Sequence, residues 1–403
     1  MTPAQQQSRE IFFQGIGAFE AGRLPEARAC FERCLALTPD RPSVQGNLGI
    51  TLWRLGLPDE ALPLLQQATA GEPAFKDAWA ALGLAHEAVG DWQAAADALA
   101  QALALDGTSA AQWLSRSRCL ARLGRAPEAL QALDRAIALD PNTAAAWSLR
   151  GNLLREMQQL DAAAQSYDRA VALGADRELH AYYLASVRGT ATPPASAPRQ
   201  YVQALFDDYA ADFQGHLVDR LGYSGHEVLL RPLLERAAAH DRRFAIALDL
   251  GCGTGLCAPL LAPHCDAIVG VDLSGQMLQQ ATRLGLYREL VQADIGEYLA
   301  TTPLRAELVV AADVLIYVGE LSRVFADVVR VLERGGLFAF TVELPTNDQA
   351  LQLLPSLRYA HSQRYLRGLA SRHGFEVDRV WQEPIREDQK VPVDALYVSL
   401  ARG

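Results

Sequence analysis

Lysine is almost absent from this 403-residue chain. Only Lys76 and Lys390 are lysines among 37 basic residues, and together with the abundant alanine this indicates a coding bias rather than a function. The 47 acidic residues outnumber the basic ones in both halves of the chain, so neither half offers a basic surface for nucleic acid. Nucleic acid is therefore not expected as a partner.

Long apolar runs and paired cysteines are missing as well. No stretch of about 18 apolar residues occurs that would cross a membrane, and residues 1–13 lack the basic start and apolar run of a signal peptide. The six cysteines form no C-x-x-C pair, which argues against a zinc site or a disulfide framework. The sequence thus predicts a soluble cytoplasmic protein with reduced thiols, no membrane segment and no bound metal.

A 34-residue period runs through the first half of the chain. Tryptophans recur at this spacing, and the register extends over five units, residues 8–177. Each unit has a small residue at its eighth place and an alanine at its twentieth, which lets two antiparallel helices approach closely. Glycines end the first helix in four units, and prolines stop the second in three. The small residues are Gly15, Gly49, Gly83, Ser117 and Gly151.

This order of residues resembles the tetratricopeptide repeat. The fifth unit departs from the pattern at Gln158 and Ala175, where glycine and proline are expected. The resemblance implies an all-α solenoid whose concave face binds a protein or peptide. Four side chains on first helices are expected to face this groove and to receive an acidic segment or a carboxylate, unless they form an ordinary solvated face. They are Arg118, Arg122, Asn152 and Arg155.

The array is followed by a change of composition. Residues 178–187 predict a helix that caps the last repeat, because a terminal repeat needs one polar outer face. Residues 190–199 contain three prolines and several small residues, the composition of a linker. The sequence therefore predicts an array over residues 1–189, a linker over 190–199 and a second domain over 200–403.

In the second domain short apolar runs alternate with helical segments. This alternation predicts a Rossmann-like α/β domain with a mostly parallel, seven-stranded sheet and helices on both faces. The predicted strands are 244–250, 267–271, 290–293, 308–311, 337–342, 375–380 and 395–400, and helices are expected at 276–284 and 321–332.

A glycine-rich loop follows the first predicted strand, where Gly251, Gly253 and Gly255 let the backbone approach a nucleotide-like ligand. The dinucleotide fingerprint needs glycine or alanine where Leu256 stands, so NAD and FAD are less favoured. Asp272 ends the second strand, where a carboxylate can accept bonds from two ribose hydroxyls.

Together with Asp294 after the third strand, this ordered set resembles the class I S-adenosylmethionine-dependent methyltransferases over residues 200–403. The resemblance implies that the glycine loop lies against the methionine part of the cofactor, that Asp272 holds the ribose and that Asp294 bonds the adenine amino group. Asp249 and Asp294 would alternatively only cap helices. The implied cofactor-binding residues are Asp249, Gly251, Cys252, Gly253, Gly255, Asp272, Leu273, Met277, Asp294, Ile295, Ala311 and Ala312.

Candidates for contact with the methyl acceptor come from three segments. Residues 206–213 resemble the lid helix of small-molecule methyltransferases, and the histidine after them can take a proton from an acceptor. Further candidates follow the fourth strand and, in the segment 358–361, the fifth. For each of them an ordinary packed or exposed polar role is the alternative. The candidates are Tyr209, His216, Asp313, Tyr317 and His361.

The absence of one motif narrows the range of expected methyl acceptors. Enzymes that methylate exocyclic base amines carry Asn or Asp, two prolines and an aromatic after the fourth strand, whereas residues 312–315 here read Ala-Asp-Val-Leu. Both halves together resemble bacterial methyltransferases with N-terminal tetratricopeptide repeats. This implies methyl transfer to a small-molecule or protein-borne acceptor, with the array recruiting a partner or the acceptor. The alternative is a repeat scaffold whose Rossmann-like domain binds a nucleotide-type ligand without catalysis.

Overall fold

The structure is a computed structural model that describes residues 3–190, 192–210, 222–388 and 391–403. For residues 3, 4, 208, 209, 387, 388 and 391 it describes the backbone alone. Contacts divide the chain into two compact units, residues 1–175 and 176–403. None of the helices in the described ranges has the length and apolar character that crossing a membrane requires.

The first unit consists of ten helices in its described part, arranged as five successive pairs. From the third pair onward, each first helix begins 34 residues after the previous first helix, at the boundaries that the repeat predicts. The helices are α1 Pro3–Glu20, α2 Leu24–Leu37, α3 Pro42–Arg54, α4 Pro58–Gly71, α5 Lys76–Ala88, α6 Trp92–Leu105, α7 Ala110–Arg122, α8 Ala126–Leu139, α9 Ala144–Glu156 and α10 Leu160–Ala172. The predicted helix pairs are thus confirmed.

The small residues at the eighth place allow the two helices of a pair to touch. A Cβ added to Gly151 would lie 2.4 Å from the Tyr167 ring, and one added to Gly49 would lie 2.6 Å from Leu65. The alanines at the twentieth place are all fully buried. The recurring tryptophans Trp79, Trp113 and Trp147 connect the first helix of the last three pairs to the turn before it, because each indole Nε1 donates to the backbone carbonyl six residues earlier at 2.9 to 3.0 Å.

The fifth turn keeps its geometry without its glycine. Gly22, Gly56, Gly90 and Gly124 have φ values between 72° and 80°, and Gln158 adopts φ 59° at the same place. A left-handed backbone is unfavourable for a residue with a Cβ, so this turn is held by the helices on either side of it.

The second unit is an α/β domain built on a mostly parallel sheet, as predicted. Its helices are α11 Arg177–Arg188, α12 Arg199–Tyr209, α13 Gly225–Ala239, α14 Ala258–Leu261, α15 Gly275–Thr282, α16 Ile295–Thr301, α17 Ser322–Val331 and α18 Gln363–Arg372. Its strands are β1 Phe244–Leu250, β2 Cys265–Asp272, β3 Glu289–Gln292, β4 Ala306–Ala311, β5 Leu332–Glu343, β6 Leu351–Leu353, β7 Tyr359–His361, β8 Phe375–Asp388 and β9 Val391–Arg402.

The strand order places β1 at the centre of the sheet. The order is β3-β2-β1-β4-β5-β7-β6, and an antiparallel pair, β9 and β8, joins β5 as well. The seven predicted strands are all present. The hairpin of β6 and β7 was not predicted, because strands of three residues are too short to show an alternating pattern. Buried apolar clusters cover both faces of the sheet.

The predicted capping helix and linker belong to the second unit. In α11, the Tyr182 hydroxyl donates to the Leu357 carbonyl at 2.5 Å. The Tyr359 hydroxyl donates to the Pro194 carbonyl at 2.7 Å, and the Ala197 amide donates to the Tyr317 carbonyl at 2.9 Å. The contacts therefore divide the chain between Ala175 and Asp176, earlier than the linker that the composition indicated.

Candidate functional site

The site lies at the carboxyl end of β1, where the order of the strands reverses. Strands β2 and β3 lie on one side of β1, and β4 and β5 lie on the other. Because β1 sits between β2 and β4, a crevice opens beyond their carboxyl ends, the usual ligand position in open α/β sheets. Gly251 follows β1 with φ 63°, and a Cβ there would lie 2.3 Å from Val314 in the loop after β4. Glycine is required at this position because the two loops approach so closely.

The crevice forms a cavity of about 470 Å³, a volume typical of small-molecule sites. Loops after β1, β2, β3 and β4 supply one wall, and α12 with the loop before α13 supplies another. Of the residues predicted to bind the cofactor, eight line it, and they are Gly251, Cys252, Gly253, Asp272, Leu273, Asp294, Ile295 and Ala312. Asp313 and Tyr317, two of the predicted acceptor contacts, line the same cavity.

Asp272 is fixed at the end of β2 by backbone amides. Its carboxylate accepts from the Gly253 and Ser274 amides, each at 2.8 Å, and each oxygen keeps a lone pair for a ligand. The side chain is 8 % exposed, and burial raises its pKa against the effect of these bonds. Its position suits a diol that donates two hydrogen bonds.

Helix α12 closes over this end of the cavity. The Ser274 hydroxyl caps α15 by accepting from the Met277 amide, and it donates to Asp207 of α12 at 2.5 Å. Phe206, also in α12, meets the Tyr317 ring edge to face with centroids 5.5 Å apart. Phe206 and Asp207 belong to the expected lid segment, of which residues 211–213 lie outside the described residues.

Two further groups in the cavity have acceptor or donor capacity for a ligand. Asp294 caps α16, with one carboxylate oxygen accepting from the Gly296 and Glu297 amides, so the capping alternative holds for that oxygen. The Thr254 hydroxyl is buried and has no hydrogen-bond partner among the described residues. An orphaned hydroxyl in a cavity wall is a reason to expect a polar ligand there.

Several predicted residues lie behind the cavity wall instead of in it. Asp249 is 1 % exposed and accepts from the Tyr287 hydroxyl at 2.7 Å, and burial raises its pKa to about 7. Gly255, Met277 and Ala311 are not among the lining residues, and Met277 and Ala311 are fully buried. These side chains shape the wall and do not reach its surface.

The structure does not bring His361 to the cavity. Its ring is fully buried, and Nε2 lies 2.8 Å from the Gly319 carbonyl, which identifies Nε2 as the protonated nitrogen. Burial lowers its pKa to about 4, so it is neutral at pH 7. His216 lies outside the described residues, and the side chain of Tyr209 is not described.

A buried group of charges lies beside Asp313. The Asp313 backbone has φ 58°, an unfavourable conformation for a non-glycine residue, and its carboxylate lies 3.3 Å from Arg386 Nη1. Arg386, 2 % exposed, also donates to Glu343. Glu343 in turn lies 3.7 Å from Arg358, which lines the cavity. Asp313 is therefore neutralised by an arginine and is not a free base.

Sequence reasoning missed three residues of this site. His226 and Tyr223 line the cavity as a stacked pair with ring centroids 5.5 Å apart, and burial lowers the pKa of His226. The third, Arg386, lies beyond the predicted end of its strand, where a register shift interrupts the alternation of β8. An isolated histidine before the sheet carries no sequence signal, so only the folded arrangement reveals it.

The four predicted groove residues of the array already make contacts. Arg118 pairs with Glu87 at 2.8 Å, and the Arg122 guanidinium lies 5.5 Å from the Trp92 ring centroid. Asn152 accepts from the Tyr167 hydroxyl at 2.9 Å. The Arg155 side chain is 11 % exposed. Arg118 and Arg122 are exposed, so these two remain accessible to a partner.

Family models account for both parts of the chain. Residues 248–340 match a model described as a methyltransferase domain. Four models described as tetratricopeptide repeats match residues 13–71, 47–110, 87–153 and 144–175. The chain joins tetratricopeptide repeats to a methyltransferase domain. The matched part of the methyltransferase domain runs from the end of β1 into β5 and includes the loops after β1, β2, β3 and β4.

Curated relatives match the methyltransferase domain. A malonyl-[acyl-carrier protein] O-methyltransferase of Enterobacter lignolyticus is 30% identical over 182 residues, which are 43% of this chain and 66% of the relative. The corresponding protein of Legionella pneumophila is 35% identical and covers 30% and 44%. A trans-aconitate 2-methyltransferase of Azoarcus sp. is 31% identical and covers 29% and 45%. The chain thus spans about two thirds of the first relative and less than half of the others.

Among solved structures, the N-methyltransferase NodS from Bradyrhizobium japonicum in complex with S-adenosyl-L-homocysteine is 17% identical. The match covers 50% of this chain and 97% of NodS, with a TM-score of 0.40.

Proposed function

We propose that the methyltransferase domain transfers a methyl group from S-adenosylmethionine to an acceptor in the same cavity, and that the repeats recruit the acceptor or a partner protein. The observation that carries the proposal is the meeting of Gly251, Asp272 and Asp294 with Asp313 and Tyr317 in one cavity. Gly251, Asp272 and Asp294 suit a nucleoside that carries an amino acid chain. Asp313 and Tyr317 would face the part of the cavity that remains for the acceptor.

The residues of the cavity fit this cofactor. Asp272 would hold the ribose hydroxyls with its remaining lone pairs, and the orphaned Thr254 hydroxyl would bond the amino acid part. Asp294 has one carboxylate oxygen committed to α16, which leaves the other for the adenine amino group. Gly253 has open space where a Cβ would stand, so the ligand can approach the backbone there.

The protein's contribution is mainly alignment and exclusion of water. When bound, S-adenosylmethionine supplies a methyl group activated by a positively charged sulfur. Helix α12 and Phe206 cover the cavity, and Tyr317 and Val314 narrow the space in which an acceptor atom can lie. Holding an acceptor in line with the methyl group contributes more to the rate than a strong base does.

Relatives of this domain act on both kinds of acceptor that the proposal allows. Their names describe methyl transfer to malonyl-[acyl-carrier protein], in which the acceptor is attached to a protein, and to trans-aconitate, a free acid. A repeat array beside such a domain suits a protein-borne acceptor, because its groove can bind the protein that carries it.

Transfer of label separates an enzyme from a scaffold. The full chain is incubated with S-adenosylmethionine labelled in its methyl group and with the small-molecule and protein fractions of a heat-treated bacterial extract. We expect label in at least one fraction, and the Asp272→Ala variant should transfer none. Binding of S-adenosylhomocysteine without transfer to either fraction would instead indicate a scaffold that senses the ligand.

Charge reversal on the array tests recruitment. Arg118→Glu combined with Arg122→Glu should reduce transfer to the protein fraction about tenfold and leave transfer to small molecules unchanged, because only docking is weakened. The control combines Arg23→Glu with Arg125→Glu, two arginines at the turns of the repeats. Equal transfer by both double variants would show that these groove arginines do not recruit the acceptor.

A further inference from the structure

Two arginines line the methyltransferase cavity, Arg199 and Arg358, and Arg199 is paired with Glu297 at 3.0 Å. Arg358 lines the cavity, and its side chain is 28 % exposed. The neighbouring Arg386 is 2 % exposed, donates to Glu343 and lies 3.3 Å from both oxygens of Asp313. The two arginines therefore differ: Arg386 neutralises buried carboxylates, and Arg358 faces the cavity.

Arg358 lacks a carboxylate partner within hydrogen-bond distance in the described part of the chain. Its nearest carboxylate oxygen belongs to Glu343 at 3.7 Å, beyond the usual 2.7 to 3.2 Å. That oxygen already accepts from Arg386. The Tyr317 hydroxyl interacts with Arg358 at the cavity side. A mostly buried guanidinium with donors to spare is stabilised when an anion completes its hydrogen bonds.

The backbone holds Arg358 at this place at a cost in conformational energy. Leu357 adopts φ 62°, an unfavourable conformation for a bulky residue. The Tyr182 hydroxyl of α11 holds its carbonyl, and Tyr182 also packs against the Tyr359 ring with centroids 6.0 Å apart. Strained residues persist where the surrounding structure fixes them, and they cluster at ligand sites. Asp313, which belongs to the same group of charges, also has a positive φ, of 58°.

We propose that Arg358, with the Tyr317 hydroxyl beside it, binds a carboxylate of the acceptor, and that the reaction forms a methyl ester. This inference rests on the proposed methyl transfer. The geometry of a guanidinium matches a carboxylate through two parallel hydrogen bonds, so it orients the acceptor as well as attracting it. The positive sulfur of the bound cofactor adds to the attraction of an anion into the cavity.

The chemistry also explains why no base is needed. One carboxylate oxygen of the acceptor forms the new O–CH₃ bond as the S–CH₃ bond breaks, and the electron pair of that bond stays on sulfur. No proton moves, because a carboxylic acid with an ordinary pKa near 4 is already ionised at neutral pH. This agrees with an Asp313 that is neutralised by Arg386 and a His361 that is kept from the cavity.

The test uses the alkali lability of methyl esters. Labelled product made by the full chain from the extract fractions is treated with alkali, and volatile labelled methanol is measured. We expect most of the transferred label to become volatile. Arg358→Leu should reduce transfer at least 100-fold, and Arg358→Lys should recover part of it. Arg364→Leu, an exposed arginine in α18, should match the wild type.

A binding measurement covers the case in which the extract lacks the acceptor. The chain saturated with S-adenosylhomocysteine is titrated with malonate, succinate and glutarate and with the three corresponding diamides. Binding of a diacid over its diamide, lost in Arg358→Leu, supports the proposal. Unchanged affinity of Arg358→Leu for S-adenosylhomocysteine shows that the variant is folded.

Two results would overturn the carboxylate proposal and leave methyl transfer standing. They are label that stays fixed after alkali and wild-type transfer by Arg358→Leu. A chain that binds S-adenosylhomocysteine, transfers no label and binds no diacid would overturn both proposals and indicate a scaffold, and a chain that does not bind S-adenosylhomocysteine would overturn the proposed function itself.

Discussion

The repeat unit and the methyltransferase unit use buried positions in opposite ways. In the repeats the described buried positions hold alanine, glycine, other apolar residues or a neutral Ser, Thr or Gln, and none of them is charged. Buried alanines recur there at multiples of 34 residues, as at Ala27 and Ala163. In the methyltransferase unit the positions beside the cavity hold Asp249, Asp272 and Arg386, all nearly inaccessible to solvent. Burying charge costs free energy that packing alone would not.

Backbone strain shows the same contrast. The turns of the repeats use glycine at positive φ, and Gln158 is their one exception among the described residues. Next to the cavity Asp313 and Leu357 adopt positive φ, which is uncommon for any residue with a Cβ and least favourable for a bulky one such as Leu357. Regular packing is thus typical of the part of the chain that forms a scaffold, and buried charge and backbone strain are typical of the part with the candidate ligand site.

The largest expected effect is the pH dependence of stability that results from the burial of Asp249. Its folded pKa of about 7 lies above the unfolded value near 3.9, so the folded state holds a proton that the unfolded state has lost between these pH values. The free energy of unfolding of the second unit should therefore fall as pH rises from about 4 to 7, by at most about 4 kcal/mol. Urea denaturation at pH 5 and pH 7.5 measures the change.

The matched variants for this prediction are Asp249→Asn and Asp266→Asn. Asp249→Asn leaves no charge to bury at this position and should remove most of the pH dependence. Asp266 is exposed at the start of β2, the strand that pairs with β1, in which Asp249 lies. Its replacement should therefore leave the pH dependence of stability intact. If the free energy of unfolding of the wild-type second unit does not change over this pH range, the difference in buried charge between the two units is contradicted.

The next largest effect concerns Asp272. Asp272→Ala removes two charge-assisted hydrogen bonds to the glycine loop and to Ser274, and it removes the proposed ribose contacts. We expect affinity for S-adenosylhomocysteine to fall about 100-fold, which corresponds to about 2.7 kcal/mol. Calorimetric titration measures it, and Asp266→Ala serves as the control. An affinity that survives in Asp272→Ala would place the ligand elsewhere.

An effect of intermediate size tests packing in the repeats. Gly151→Ala places a Cβ 2.4 Å from the buried Tyr167 ring and should destabilise the first unit by about 1 to 3 kcal/mol. Gly17→Ala is the same change on a helix face where nothing lies within 4 Å, and it should stabilise α1 by up to about 1 kcal/mol. Thermal unfolding compares them, and a neutral Gly151→Ala would mean that the helix pair packs loosely.

The smallest effect concerns the cover of the cavity. Asp207→Ala removes the hydrogen bond between α12 and the Ser274 cap. A single bond of this kind contributes about 1 kcal/mol, so affinity for S-adenosylhomocysteine should fall about fivefold. Gln200→Ala, at the exposed start of α12, is the control. Equal affinities in both variants would show that α12 does not help to retain the ligand.

Much of this architecture could be predicted from the sequence because it rests on local patterns. The starts of α3, α5, α7 and α9 follow from the 34-residue period, and β1 follows from one apolar run before a glycine loop. Asp272 was found because it stands at the end of a strand, a position that topology fixes.

The rest depends on contacts between distant parts of the chain. Arg358, just before β7, and Arg386, in β8, both contact Glu343 at the end of β5, and nothing in the spacing of these residues shows it. The division at residue 175 depends on contacts with residues far along the chain, such as the hydrogen bond that Tyr182 donates to Leu357 and the one that Pro194 accepts from Tyr359, whereas composition alone suggested a later linker.

The central claim is that the cavity between β1 and β4 binds S-adenosylmethionine. Calorimetric titration of the full chain with S-adenosylhomocysteine, and separately with NAD, tests it most directly. We predict one molecule of S-adenosylhomocysteine per chain and no binding of NAD, because Leu256 stands where the dinucleotide loop needs a small residue. Absence of S-adenosylhomocysteine binding, or binding of NAD in its place, would contradict the account.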